Sequence, residues 1–294
     1  AIAEMLQDYS RSKITAKIKS GEALIDSKTF KPKDKASGKE TVFLVFNHKN
    51  YTHWEAEDIS LDIVFEDEDI IVINKPFGLV THPGAGNWSG TLANALLYHD
   101  KNLLKLDRAG IVHRLDKNTS GLMVISKNAK SQKYLVNQLQ VHSVEREYSA
   151  IVYGHMISGG TVNEPIGRDS RDRIKQAISN GGKEAITHYR VIDRYKSHTH
   201  VKAILETGRT HQIRVHLSHI GHPLVGDPVY GGRVRYPKKA AQDLKNALIQ
   251  LERQALHSKK LTLTHPSSGE TMTWRIGLPD DMKSLLNILM EFDS

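Results

Sequence analysis

The spacing of apolar and polar positions divides the chain into two parts. From residue 61 to residue 276, short runs of β-branched and other apolar residues recur between segments with helical spacing. These runs predict strands over 61–65, 70–73, 121–126, 148–152, 186–192, 201–205 and 260–264. Apolar positions three and four residues apart predict helices over 92–97, 129–140, 214–220, 240–254 and 281–292. Because strands and helices do not alternate strictly, we predict an α+β fold with a mixed, largely antiparallel central sheet and not a doubly wound fold.

The first 50 residues form a smaller pattern of their own. Apolar residues at helical spacing, with Ser10 as an N-cap, predict two short helices up to residue 20. A β-like stretch at 23–25 and a strand at 41–46 follow. This segment carries 10 Lys and Arg against 6 Asp and Glu, so one face is basic. Residues 51–61 are polar and predict a linker between a small α/β module at 1–50 and a large domain at 62–294.

The composition narrows the possible partners and chemistry. The 294 residues include 41 Lys and Arg against 33 Asp and Glu, and the net charge of +8 favours a polyanion such as nucleic acid. The absence of cysteine excludes disulfides, thiolate nucleophiles and cysteine-ligated metal centres. The N-terminal residues lack the features of a signal peptide, and no apolar stretch approaches the roughly 20 residues of a membrane span. We therefore expect a cytoplasmic monomer that does not associate with membranes.

The most informative segment is the polar loop His113-Arg114-Leu115-Asp116-Lys117-Asn118-Thr119, which leads into the predicted strand at 121–126. Side chains in loops beside a buried strand are held on a rigid scaffold, where functional groups are common. Burial disfavours a carboxylate anion, so a buried aspartate that acts as an anion needs a cation beside it. Candidate cations are Arg114, Arg209 and Arg214. A purely structural ion pair would give the same residue pattern.

A second polar segment, residues 207–217, combines two arginines, two histidines and a glutamine at a predicted strand-to-helix junction. A metal site is one interpretation of the histidines in and after this segment, His211, His216, His219 and His222. Their spacing lacks the i, i+4 pair with an intervening glutamate that zinc-binding helices use. We therefore predict no metal site and interpret these histidines as hydrogen-bonding or RNA-contacting groups.

Two further segments give weaker signals. Tyr148 begins a predicted strand, so its ring faces either the core or a cleft, and the pattern leaves both possibilities open. The glycines of the segment 84–90 have the spacing G-x-G-x-x-x-G. This spacing departs from a dinucleotide-binding fingerprint and lacks the helix and acidic residue expected after it. We predict no nucleotide cofactor.

Taken together, these motifs resemble a known family. The loop 113–121, the Tyr148 strand and the segment 209–217 are similar to the three signature motifs of the RluA-type pseudouridine synthases, in the same order. The resemblance extends over residues 62–294, while residues 1–50 resemble an S4 RNA-binding module that lacks its usual opening residues. It implies the pseudouridine synthase fold with an S4-like module, and an RNA isomerase that needs no cofactor.

The resemblance also implies roles for individual residues. Asp116 would be the nucleophile that detaches uracil from its ribose, Arg214 its ion-pair partner and Tyr148 the ring that stacks on the target uracil. The uridine would be flipped out of a stem-loop of 23S ribosomal RNA, either naked or in a precursor of the large subunit, during maturation of that subunit. The residues expected to contact this RNA are His113, Arg114, Thr119, Arg209, His211, Gln212, Arg11 and Lys13.

Two other functions remain as alternatives. A glycosidase-like hydrolase would also use a carboxylate nucleophile, but it normally needs a second carboxyl group about 5–10 Å away. No second carboxylate stands within the three motifs to fill that role. A non-catalytic RNA-binding or ribosome-assembly protein would need the basic surface but not Asp116.

Overall fold

The computed structural model of the protein divides the chain into two compact units, residues 1–51 and residues 52–294. None of the helices described in it is long and apolar enough to cross a membrane. The structure describes residues 11–26, 28–34, 38, 40–44, 54–84, 86–172, 175–238 and 240–292.

The smaller unit contains, in its described part, one helix and a three-stranded antiparallel sheet with β1 in the centre. Its elements are α1 (Arg11–Lys19), β1 (Ala23–Ile25), β2 (Lys28–Thr29) and β3 (Val42–Leu44). A small apolar core is formed by Ile14, Ile18, Ala23, Phe30 and Leu44. The predicted first helix, Ser10 and the side chains of Arg11 and Lys13 lie outside the described residues. The assignment of this unit as an S4-like RNA-binding module stays a prediction.

The larger unit is built on a mixed sheet. The strands described in this unit are β4 (Ile63–Glu66), β5 (Ile70–Lys75), β6 (Ser120–Ser126), β7 (Glu145–Tyr153), β8 (Gly160–Asn163), β9 (Ile166–Arg168), β10 (Gln176–Ile178), β11 (Ile186–Arg194), β12 (His198–Leu205), β13 (Leu256–Thr264) and β14 (Thr271–Arg275). The main sheet has the order β4-β5-β6-β13-β7-β12-β11-β8, with β14 paired to β13, and β9 and β10 form a separate pair. Every neighbouring pair is antiparallel except β6 and β13. The predicted α+β fold with a largely antiparallel sheet is confirmed.

The sheet is buried on both faces along its central strands. In β5, Ile71 and Ile73 enter one core cluster, whereas Ile70 and Val72 enter another. Successive strand residues point to opposite faces, so these clusters lie on the two sides of the sheet. Burial on both sides explains why the strands appear in the sequence as continuous apolar runs instead of alternating ones.

The five helices predicted for the larger unit are all present, with shifted ends. They are α2 (Leu92–His99), α3 (Ala129–Gln140), α4 (Gln212–His219), α5 (Gln242–Gln250) and α6 (Asp280–Phe292). Two short 3-10 helices, Lys101–Lys105 and Asp107–Gly110, follow α2. The sequence did not predict strands β8, β9, β10 and β14, because these short strands carry few apolar residues and lack a clear period.

Residues 54–61, which the sequence assigns to a linker, have no regular secondary structure but lie against the larger unit. Trp54 packs on its main core cluster. The Glu57 amide donates to the Asn94 carbonyl at 3.1 Å, and the Asn94 side-chain amide donates to the Glu55 carbonyl at 2.7 Å. This segment is therefore part of the surface of the larger unit.

Candidate active site

The loop that carries Asp116 is held by a neighbouring turn on both sides of the carboxylate. The Thr81 hydroxyl donates to the Leu115 carbonyl at 2.8 Å. The Gly78 amide donates to the Lys117 carbonyl at 2.9 Å. Because the carbonyls before and after Asp116 are both engaged, the position of this residue relative to the sheet is defined by the backbone and not by its own side chain.

Lys75 joins the same turn to the same loop from within the protein. Its side chain is fully buried, and its ammonium donates to the carbonyls of Pro76, Leu79 and Lys117 at 2.7, 2.9 and 3.2 Å. Burial lowers the pKa of Lys75 to about 7, although the negative charge of Asp116 raises it in part. The sequence analysis assigned no role to this lysine, which ends a buried strand.

Asp116 shares the guanidinium of Arg214 with a second carboxylate. Arg214 Nη1 donates to Asp116 Oδ2 at 3.0 Å, while Nε and Nη2 donate to the two oxygens of Asp227 at 2.7 and 2.9 Å. Asp227 is buried and also accepts hydrogen bonds from the amides of Val229 and Tyr230. Burial opposes both charges, but the hydrogen bonds between them lower the pKa of Asp227 and raise that of Arg214. The cation beside Asp116 is thus permanently charged and held in place.

Asp116, Tyr148 and Arg214 line one cavity of about 550 Å³. This volume lies within the range of about 300–1,000 Å³ that is usual for small-ligand sites. Tyr148 is only 5% exposed, yet it forms part of the cavity wall, so it belongs to both the core and the cleft. Burial raises the pKa of Tyr148, which keeps its hydroxyl protonated at neutral pH. Among the described residues that line the cavity, Asp116 is the one carboxylate.

Positive charge dominates the cavity wall. The arginines among the described lining residues are Arg108, Arg114, Arg146, Arg209 and Arg214. A guanidinium presents several donors in a planar fork that suits carboxylates and phosphates. One carboxylate against these arginines leaves the wall cationic, and such a wall is suited to an anionic ligand.

His211 approaches the other oxygen of Asp116. Its Nε2 is 3.9 Å from Asp116 Oδ1, and its Nδ1 is 2.9 Å from the Tyr230 hydroxyl. The residue is the N-cap of α4 and has a left-handed backbone with φ of 58°. Burial lowers the pKa of His211, although Asp116 raises it in part, so the ring is mainly neutral at neutral pH. The ring is therefore a mainly neutral neighbour of the carboxylate, too far away for a hydrogen bond, and not a second cation.

Gln212, expected to contact RNA, is engaged inside the protein instead. The residue is 2% exposed. Its side-chain nitrogen donates to the Ile186 carbonyl and the Thr187 hydroxyl, and its oxygen accepts from the Thr207 hydroxyl and the Arg209 amide. With its amide oxygen and nitrogen both used, Gln212 holds the start of α4 in place and has no group left for RNA. The expected RNA contact therefore does not fit this structure.

Thr119 and His113, two further expected RNA contacts, support the Asp116 loop. Thr119 is 2% exposed, and its hydroxyl accepts a hydrogen bond from Gln254 at 3.0 Å, so its burial does not fit a direct RNA contact. His113 lines the cavity, and its Nε2 accepts a hydrogen bond from the Val124 amide at 3.0 Å. Burial and the nearby Arg146 lower the pKa of His113 to about 3, so the ring is a neutral acceptor.

The remaining expected contacts are distributed between the two units. Arg114 is exposed at the cavity, and Arg209 is half-buried there, with its Nε donating to the Glu184 carbonyl at 2.8 Å. Arg11 and Lys13 belong to the smaller unit.

Within the described part of the chain, no group of three or more potential metal ligands is close enough to hold a metal ion.

The sequence analysis assigned no role to four residues of the site, namely Lys75, Arg146, Asp227 and Tyr230. Asp227 is the most important of them, because it orients Arg214. A signal for it exists in the sequence: Gly226-Asp227 directly follows the apolar pair Leu224-Val225, which places a carboxylate beside a buried segment. Nothing local, however, relates that carboxylate to Arg214.

Comparison with known proteins shows which sequences this chain is similar to. A family model described as RNA pseudouridylate synthase matches residues 69–219. "Ribosomal large subunit pseudouridine synthase D" of Pseudomonas aeruginosa is 50% identical over 289 residues, covering 98% of this chain and 90% of that protein. The protein of the same name from Xanthomonas campestris is 47% identical over 290 residues, covering 99% and 88%.

Solved structures show the same relationship at the level of the fold. "Human RNA Pseudouridylate Synthase Domain Containing 4" is 28% identical, with a TM-score of 0.61 over 78% of this chain and 92% of that chain. "Human RNA Pseudouridylate Synthase Domain Containing 1" is 23% identical and shares the fold, with a TM-score of 0.57 over 81% and 98% of the two chains.

Proposed function

The chain belongs to the RNA pseudouridylate synthase family, and we propose that it converts specific uridines of 23S ribosomal RNA to pseudouridine during maturation of the large subunit. The enzyme is an isomerase. The bond from ribose C1′ to uracil N1 breaks and a bond from C1′ to C5 forms. C5 loses a proton and N1 carries one in the product, so atoms and electrons balance without an external oxidant or reductant.

The observation that carries the proposal is the setting of Asp116. Its carboxylate lies in the wall of a nucleotide-sized cavity, and Arg214 donates to one of its oxygens. The guanidinium orients the carboxylate through a charge-assisted hydrogen bond, and a carboxylate is a group that can act as a nucleophile. Because Arg214 Nη1 bonds to Oδ2, Oδ1 remains for the attack. We propose that Asp116 is the catalytic nucleophile and Arg214 the residue that orients it.

Tyr148 and the cationic wall account for RNA binding in this proposal. A uridine must leave its base stack to enter the cavity, which costs a few kcal/mol. Stacking on the Tyr148 ring returns about 1–3 kcal/mol. Stem-loops are favourable substrates because their loop bases are already partly unstacked. Arg114, Arg209 and His211 are the proposed RNA contacts at the cavity, whereas His113, Thr119 and Gln212 position the loops around it.

The setting in the cell follows from the same proposal. The substrate is 23S ribosomal RNA, either naked or in a large-subunit precursor, so the protein acts in the cytoplasm and needs no membrane. We further propose that the protein acts as a monomer. The net charge of +8 supports a nucleic-acid partner. In this proposal the smaller unit adds RNA affinity as an S4-like module.

Pseudouridine mapping tests the reaction and the nucleophile together. Unmodified 23S RNA is treated with the wild type or with Asp116→Asn, and pseudouridines are located by carbodiimide labelling and primer extension. We expect Asp116→Asn to lower the rate by at least about 10³-fold, because an amide cannot attack as an anion. RNA affinity should stay within about threefold, since Asp227 still holds Arg214. Asp243→Asn, which changes an exposed aspartate of α5 in the same way, is the matched control.

Each other outcome has a distinct meaning. Free uracil as the main product would indicate hydrolysis instead of isomerisation. Joint loss of binding and activity in Asp116→Asn would make Asp116 a structural residue. Labelling on precursor particles but not on naked RNA would identify the particle as the substrate. RNA binding without labelling on either would leave a non-catalytic RNA-binding protein.

A further inference from the structure

Arg146 carries a buried positive charge that the protein does not neutralise. The residue is 6% exposed and lies in the wall of the cavity. Its Nη2 donates to the Glu206 carbonyl at 3.0 Å, and its buried Nε has no hydrogen-bond partner. Within the described part of the chain, no carboxylate pairs with it. A buried charge without a counter-ion and with an unsatisfied donor is costly, so its presence calls for an explanation.

Two other buried arginines show how this protein usually neutralises such a charge. Arg214 pairs with Asp227 and Asp116. Arg253, which is 2% exposed, donates to both oxygens of Asp281 at 2.6 and 2.8 Å. Arg146 therefore differs from the other arginines that are buried to the same extent.

A second positive charge, that of Arg209, lies near Arg146. Burial and the neighbouring Arg209 both lower the pKa of Arg146, although Tyr148 raises it in part. Gly208 also lines the cavity, and a Cβ atom added there would lie 2.6 Å from Arg146 Nη1. The guanidinium thus occupies the space that a side chain at position 208 would take. Arg146 and Arg209 both line the wall and interact electrostatically, and Asp116 is the one carboxylate among the described lining residues.

We propose that Arg146 and Arg209 bind a phosphodiester of the RNA next to the extruded uridine, with Arg146 as the main ligand. This inference rests on the proposed function, because it assumes that the substrate enters the cavity as part of an RNA strand. The phosphate would be the counter-ion of Arg146, for which the described part of the chain provides no carboxylate. Arg146 and Tyr148 are alternate residues of β7 and so project to the same face of the sheet. One strand would therefore bind both the base and the adjacent phosphate of the target nucleotide.

A phosphodiester fits this site better than a carbonyl oxygen of uracil. A carbonyl is neutral, so it would satisfy a donor without neutralising either arginine. A phosphate oxygen does both, and guanidinium groups bind phosphates through charge-assisted hydrogen bonds. Such a contact would also align the ribose of the same nucleotide with Asp116.

The inference is tested by RNA binding in the Asp116→Asn background, so that the bound RNA is not converted. Arg146→Gln should weaken binding of the stem-loop RNA about 10-fold to 100-fold, the range for loss of a charge-assisted hydrogen bond. It should also make the slope of log Kd against log salt concentration shallower by roughly 0.7–0.9, as expected for one lost phosphate contact. Gly208→Ala keeps the charge but displaces the guanidinium, so it should weaken binding in the same direction. Arg275→Gln, at an exposed position in β14, is the control for loss of one charge.

Replacing one phosphodiester of the RNA with an uncharged methylphosphonate tests whether Arg146 binds that phosphate. A single methylphosphonate beside the mapped uridine should weaken RNA binding by the protein that retains Arg146. It should cause no further loss of affinity in the protein that carries Arg146→Gln. Equal effects in both proteins, or an unchanged salt slope in Arg146→Gln, would overturn the inference. RNA binding with the expected slopes but no pseudouridine formation by the wild type would overturn the proposed function, while the contact between Arg146 and an RNA phosphate would stand. Pseudouridine formation by the wild type, together with an unchanged salt slope in Arg146→Gln, would support the proposed function and overturn this inference.

Discussion

At the scale of single residues, the site depends on an arginine that two carboxylates share. Arg214 donates from Nε and Nη2 to Asp227 and from Nη1 to Asp116. Asp227 therefore fixes the orientation of the planar guanidinium, and Nη1 points to the Asp116 carboxylate. Its guanidinium also lies 5.0 Å from the centre of the Tyr230 ring. Asp227 therefore acts on the chemistry through Arg214, as a positioning residue.

Asp227→Asn tests this role. The change removes one charge of a buried ion pair and leaves the other uncompensated on that side, which typically costs about 3–5 kcal/mol of stability. We expect a loss of this size in the free energy of unfolding, measured with urea. We also expect at least a tenfold fall in the single-turnover rate, because Arg214 can then turn away from Asp116. Asp243→Asn should change neither quantity. A stable Asp227→Asn variant with the wild-type rate would show that Asp116 and Tyr230 suffice to hold Arg214.

At the scale of elements, the junction of β6 and β13 places the Asp116 loop. This parallel pair joins two otherwise antiparallel parts of the sheet, with Ser120 opposite His257 and Gly121 opposite Ser258. Gly121 has a φ of +115°, and a Cβ atom there would lie 2.3 Å from the Ser258 carbonyl oxygen. The close approach of the two backbones thus requires glycine at this position.

Gly121→Ala should therefore be strongly destabilising. Backbone strain and overpacking each cost about 1–3 kcal/mol, so we expect a loss of about 2–5 kcal/mol in the free energy of unfolding. Gly277→Ala is the matched control, because nothing lies within 4 Å of a Cβ atom at that glycine. Thermal and urea unfolding of both variants measures the difference in their free energies of unfolding. Equal stability of the two would contradict the steric argument.

The same junction should make stability depend on pH. His257 is 2% exposed, and its Nδ1 is 2.9 Å from the Ser120 hydroxyl. Burial, with the charge of Arg253, lowers the pKa of His257 from 6.5 to about 4. Between these values the unfolded chain binds the proton and the folded protein does not, so stability falls as the pH is lowered through this window.

His257→Gln removes this dependence. Relative to the variant, the wild type should lose about 2 kcal/mol of unfolding free energy between pH 7 and pH 4.5. Urea unfolding at several pH values measures the difference, and His219→Gln, at an exposed histidine, is the control. A constant difference between wild type and His257→Gln across this range would show that His257 titrates alike in the folded and unfolded states.

At the scale of the whole molecule, the positive charge belongs to both units. The net charge of +8 is carried by a chain whose first 50 residues alone have 10 Lys and Arg against 6 Asp and Glu. Phosphate contacts release counter-ions, so each contact steepens the dependence of RNA affinity on salt. The smaller unit should therefore contribute to that dependence if it binds RNA.

Arg11→Ala combined with Lys13→Ala tests this contribution. We expect weaker RNA binding and a slope of log Kd against log salt concentration that is shallower by about 1–2, as for two lost phosphate contacts. Arg275→Ala combined with Lys283→Ala removes the same charge from exposed positions of the larger unit and serves as the control. An unchanged slope would mean that these residues of the smaller unit do not touch phosphate.

The sequence allowed prediction of features that depend on neighbours along the chain. The strands around 70–75 and 120–126 and the helices around 92–99 and 129–140 follow from apolar spacing, which acts over a few residues. Asp116 was identifiable because its polar loop directly precedes a buried strand. Short strands such as β8 and β14 were not identifiable, since a few mixed residues carry no periodic signal.

The sequence by itself determined the type of fold, the family resemblance and the segment that carries Asp116. Only the tertiary structure decided which groups meet. Asp227 pairs with Arg214, Arg146 stands in the cavity wall without a counter-ion in the described part of the chain, and Gln212 is buried and accepts a hydrogen bond from the Arg209 amide instead of facing RNA. The physical reason is distance along the chain. Asp116 and Arg214 lie on loops and helices brought together by β6, β13 and β7, whose pairing depends on register and close backbone approach. Local patterns specify elements, but they do not specify which side chains from distant elements share one cavity.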